Sequence, residues 1–138
     1  MKSDGVAQLR LVPKGKRKSL ENVIEETRLS PSWFRYFQGF NDPYLHLTPK
    51  QYRVLAERNG LRVCRIRTED KAWDFKSRSA FLAFGSVTFV EWTQFIPEAE
   101  RLAFITDVLD RYRIVATDTP GEENTFKFYQ MDITLSPD

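Results

Sequence analysis

A chain of 138 residues with 41% hydrophobic and 14% aromatic side chains carries enough apolar material for one packed core, which excludes a disordered polypeptide. Its 21 basic and 19 acidic residues nearly cancel, leaving a net charge of +2, so charge alone gives no reason to expect a nucleic-acid or membrane partner. The one cysteine, Cys64, excludes an intramolecular disulfide and a cysteine-built zinc site and points to a reducing, cytoplasmic setting, and MKSDGVAQLRLVPKG lacks the apolar core of a secretory signal.

Residues 6–12, VAQLRLV, are β-rich and stop at Pro13, so they predict a short strand followed by a loop. The basic run Lys14, Lys16, Arg17 and Lys18 reads as solvated loop. Ser19 is placed to cap a helix in which Leu20, Val23, Ile24 and Thr27 recur at helical spacing, with Glu21 favourable in the first turn. Ser30-Pro31 offers a second start, ahead of Trp33, Phe34 and Phe37, and GFNDPY at 39–44 is an irregular turn. Thr48, Pro49 and Gln51 spell a capping box for a third helix with the apolar stripe Tyr52, Leu55 and Ala56. Asn59-Gly60 ends it, because glycine accepts the left-handed conformation, and 61–67 resumes as a strand with Leu61, Val63, Cys64 and Ile66 apolar.

Ser77 or Ser79 starts a fourth helix that lines up Phe81, Phe84, Thr88, Trp92 and Phe95, with Leu82 and Phe89 beside them. Gly85 either weakens this helix or lets it pack closely. The span 79–96 is long enough to ask about a membrane, but its Ser, Thr and Gln residues make a buried or substrate-covering helix the expectation. Pro97 opens a fifth helix with Leu102, Ile105, Val108, Leu109 and Tyr112 on one stripe. Past a turn at Gly121, residues 125–135 form the last strand. Tyr129, Met131, Ile133 and Leu135 share one of its faces and Phe126 and Phe128 the other, which predicts a bulge or a strand covered on both sides. No repeat or boundary interrupts the chain, so a single domain over 1–138 is expected.

These residues have a family likeness. LTPKQYRVLAERNGLRVCRIRTED, 47–70, resembles the helix and strand that precede the closing strands of class I S-adenosylmethionine-dependent methyltransferases of the small-molecule type. VAQLRLVP with the excursion through Trp33, Phe34 and Tyr36 is similar to the fifth strand and its substrate-facing insertion. IPEAERLAFITDVLDRYRIV and NTFKFYQMDITLS are similar to the final helix and closing strand. The resemblance implies an α+β fold: a three-stranded, mainly antiparallel sheet, the remnant of a Rossmann-like sheet, packed with about five helices. Its strand order would be 6–12, 125–135, 61–67. The glycines stand at 5, 15, 39, 60, 85 and 121, and no pair makes the GxG turn of a cofactor site. The resemblance therefore implies the C-terminal, substrate-side half only, inactive alone, binding no cofactor itself, with S-adenosylmethionine held by a full-length relative. Strand 6–12 would be an open edge, inviting a homodimer or a separate cofactor-binding chain.

His46, the sole histidine, reads as an acceptor-binding group or base, or else as an exposed loop residue. Trp33, Tyr36, Tyr44, Trp73 and Trp92 are candidates to wall an apolar acceptor pocket, Trp33 and Tyr36 foremost because the matching insertion faces substrate, while core packing is the other reading; for Trp92 core packing is favoured. Arg28 or Arg35 could hold an acceptor carboxylate, or simply form surface ion pairs. Glu25-Glu26 point apart on a helix and make no catalytic dyad, and no metal-ligand spacing exists. The competing function is a stand-alone small-molecule-binding or protein-interaction module. Nucleic-acid binding through KGKRK is not expected, for want of an aromatic strand motif.

Overall fold

The computed structural model describes residues 5–42 and 46–137. In chain order the elements are β1 (Ala7–Leu11), α1 (Leu20–Arg28), α2 (Pro49–Arg58), β2 (Leu61–Asp74), α3 (Arg78–Thr88), α4 (Val90–Thr93), α5 (Arg101–Ala116) and β3 (Thr125–Pro137), with 3₁₀ turns at Phe34–Phe37 and Glu98–Glu100. The sheet order is β1-β3-β2, antiparallel, with the C-terminal strand in the middle as expected. On β1 the register pairs Leu9 with Ile133 and Arg10 with Asp132. Two compact units divide the described residues, one drawn from 5–16, 46–71 and 127–137 and the other from 17–42 and 72–126.

In the first unit α2 forms for the reasons written in its first turn. The Thr48 hydroxyl accepts the Gln51 N–H at 3.2 Å and the Gln51 side chain accepts the Thr48 N–H at 2.9 Å, satisfying two otherwise orphaned donors. Gly60, at φ +75°, turns the chain straight into β2. The helix sets Tyr52 and Ala56 on one face of the sheet, over buried Met131, Ile133 and Leu135 and the flanking Leu11, Leu61, Val63 and Ile66. On β2 the inward positions are Leu61 and Val63 but then Ile66, not residue 65. One extra residue therefore sits between them, the signature of a β-bulge. Gly15 is also explained here: a Cβ on it would come 2.3 Å from the Tyr129 ring, so the loop after β1 needs a residue without one.

The second unit holds the larger core. Ser19 caps α1 together with Asn22, and Leu20, Val23, Ile24 and Thr27 are buried at the predicted spacing. Ser77 proves to be the cap of α3, its hydroxyl accepting the Ala80 N–H at 3.1 Å. The single helix expected beyond it breaks at Phe89, and the short α4 follows. The break turns the chain so that Phe89, Trp92 and Ile96 are buried, while Thr88 and Phe95, expected on the inward stripe, are exposed. On α5, Phe104 is fully buried and Leu102 is 59% exposed, a correction of one position to the expected stripe. Gly85 serves close packing: a Cβ there would lie 2.7 Å from Ile105 Cγ2 of α5. Phe126, at the start of β3, joins this core against Phe84 and Tyr112. Among the described residues no helix is long and apolar enough to cross a membrane.

Candidate functional site

Of the residues singled out from sequence, Trp33 and Tyr36 come together in the second unit, with ring centroids 6.2 Å apart. His46 belongs to the first unit, half-buried in the segment that leads into α2. Tyr44 lies outside the described residues.

Trp33 is placed by the turn after α1 and packs edge-on against Phe104 at 5.2 Å. Its indole N–H donates to Asp107 at 2.8 Å, and the other carboxylate oxygen of Asp107 accepts from Arg111 at 3.0 Å. The same device recurs at Trp92, whose N–H donates to Glu25 at 2.8 Å. Glu25 is in turn gripped by both arms of Arg28, at 2.7 and 2.9 Å. Each carboxylate thus joins a buried indole to an arginine one turn away on its own helix, and each arginine holds the carboxylate in place. The Arg28 guanidinium also stacks over Phe40 at 4.7 Å, so this side chain is wholly engaged within the fold.

Tyr36 lines the same region. Its hydroxyl donates to Glu100 and accepts from Arg35 at 2.8 Å, while the Arg35 guanidinium covers the ring at 4.7 Å. The hydrogen bond to Tyr36 raises the pKa of Arg35 above its usual value. The indole is buried in the core and both polar tips are engaged within the fold, so of the two rings the half-buried Tyr36 is the one with surface on which a partner could rest. Trp73 is 63% exposed, and Trp92 is core as favoured.

In the first unit the sheet presents a second chemical surface, which sequence reading did not single out. Opposite α2, Gln8, Arg10, Arg65, Arg67, Asp132 and Thr134 line a depression of about 420 Å³. The bulge in β2 brings Arg65 and Arg67 to this side. Before it, Arg62 and Cys64 point the same way and meet Ser136, at 3.3 and 3.4 Å. Arg10 donates to Asp132 at 2.9 Å, a bond that raises the arginine's pKa. Arg67 pairs with Glu69 at 2.8 Å. The sequence signal was the run Arg62, Arg65, Arg67, but strict alternation splits it between two faces, and only the bulge unites it.

On the α2 side, a groove of about 250 Å³ runs between the helix and the β1 edge, lined by Leu9, Leu11, Tyr52, Leu55, Leu61 and their neighbours. Among the described residues no group of three or more His, Cys, Asp or Glu side chains could hold a metal ion. Set against known proteins, the chain matches no family profile and no curated protein, so its residues and their geometry alone carry the functional reading.

Proposed function

We propose that this chain is the acceptor-side portion of an S-adenosylmethionine-dependent methyltransferase acting on a small molecule. The observation that carries the reading is the sheet: the last strand lies between β1 and β2 and runs antiparallel to them. A capped helix feeding directly through a glycine into the outer strand supports it. So does the apolar groove along β1, which suits a surface covered by a cofactor-bearing partner or by a second copy.

In methyl transfer the acceptor's lone pair attacks the methyl carbon as the sulfur–carbon bond breaks, and the electron pair stays on sulfur. The protein's task is to align the two and keep water out. Tyr36, backed by Trp33, would wall the acceptor. A carboxylate acceptor needs no base.

The test is a calorimetric titration of S-adenosylmethionine into this chain, alone and joined to the segment encoded upstream of Met1 in its gene. The expected result is no heat alone and one-to-one binding once a glycine-rich strand-turn-helix is restored. Micromolar binding by these 138 residues alone, or an upstream frame without such a turn, would defeat the reading.

A further inference from the structure

We propose that the arginine face of the sheet is a binding site for a compact oligophosphate, such as a free polyphosphate or the phosphate tail of a nucleotide. This goes beyond methyl transfer, because every residue involved lies in the first unit and on the side of the sheet away from α2 and its groove.

The argument starts from charge. Three guanidinium groups, Arg10, Arg65 and Arg67, border one depression of about 420 Å³, and the only carboxylate in its lining is Asp132. Asp132 is held by Arg10, and Arg67 pairs with Glu69, whose charge also acts on Arg10. Arg65 is exposed and has no hydrogen bond or ion pair among the described residues. Like charges side by side destabilise a sheet. Arg10 is answered across the strands by Asp132, whereas the bulge leaves Arg65 on the same side with no opposite charge paired to it among the described residues.

Geometry then narrows the ligand. Arg10 stands on β1 and Arg65 and Arg67 on β2, with β3 between them. Two strand spacings separate the rows, about 10 Å, so a ligand that engages both must carry anionic groups at both ends. Guanidinium forks pair with phosphate oxygens two at a time. Gln8, in the same row as Arg10 on β1, and its register partner Thr134 on β3 between the rows add neutral donors. The lining holds no aromatic ring on which a base could stack, which favours a phosphate chain over an extended nucleic acid strand. The volume is that of a small-molecule site.

The experiment is calorimetry of the intact chain with tripolyphosphate, ATP and citrate at matched ionic strength of about 0.15 M. Tripolyphosphate should bind one-to-one and at least tenfold more tightly than citrate. Arg65→Gln and Arg67→Gln should each weaken it at least fivefold. Arg65→Lys, which keeps the charge but loses the fork, should weaken it measurably too. Arg58→Gln, on the exposed side of α2, should change it less than twofold. ATP binding as tightly as tripolyphosphate would assign the site to a nucleotide tail, and ATP binding more weakly would assign it to a free chain. The proposal is overturned by absence of saturable heat, by citrate matching tripolyphosphate, or by Arg58→Gln costing as much as Arg65→Gln. It is overturned equally by an RNA oligomer that binds more tightly than either phosphate compound.

Discussion

Individual residues show how the second unit reconciles burial with polarity. Trp33 and Trp92 would each leave an indole N–H without water, and each is answered by a carboxylate that is itself fixed by an arginine. Trp33→Phe should therefore cost about 1–2 kcal/mol, towards the low end for a hydrogen bond to an ionised group because the Asp107 side chain is 32% exposed. Urea unfolding measures this, and the loss should shrink in an Asp107→Ala background, which has no acceptor for the indole, if the bond is its source. A second residue-scale effect concerns acid. Backbone N–H groups, its own and that of Gly121, hold the Glu123 carboxyl below its usual pKa of 4.5. A depressed folded pKa gives stability that is present above the unfolded value and fades as pH falls through the folded one. Glu123→Gln should thus lower stability slightly at neutral pH, leave it nearly unchanged in acid below the folded pKa, and so flatten the acid limb of a pH–stability curve. An acid limb unaltered in the variant would refute that assignment.

At the scale of elements, the contacts that decide packing are close and few. At Gly85, alanine would gain about 1 kcal/mol of helix propensity but must press on Ile105, and overpacking costs about 1–3 kcal/mol. Gly85→Ala should come out mildly destabilising and Gly85→Leu severely so, read as a lower denaturation midpoint with an unchanged slope. This position also shows what could be read in advance. The residue types announced that either weakness or close approach was at stake, and only the position of α5 decides which. The capping residues Ser19, Thr48 and Ser77 were legible because their hydrogen bonds are made within three residues. The break at Phe89 was not, since no proline or glycine marks it, and burial of Phe89, Trp92 and Ile96 drives it.

For the whole molecule, the strand order was legible only through the family likeness, because nothing in residues 6–12, 61–67 or 125–135 by themselves names a neighbour. The candidate site was less legible. Trp33 and Tyr36 were picked out and do meet, whereas the gathering of Arg10, Arg65 and Arg67 depends on register across three strands. The order also leaves β1 as an edge, with Leu9 46% exposed beside the apolar groove. Such an edge favours pairing with another chain. Light scattering should show a mass that rises above the monomer with concentration, and Leu9→Lys should hold it at one chain. A wild-type protein that stays monomeric at millimolar concentration would contradict this.

The extra residue in β2 has one more consequence, for how the strand tolerates change in its length. Removing Arg65 would leave Leu61, Val63 and then Ile66 at every second position, a regular pleat with the same side chains facing inward. Removing Ile66 would instead bring Arg65 or Arg67 to an inward position. A one-residue deletion at 65 should therefore yield a protein that still unfolds cooperatively, and the same deletion at 66 should not. Evolution could lengthen or shorten this strand at a single point without remaking the domain.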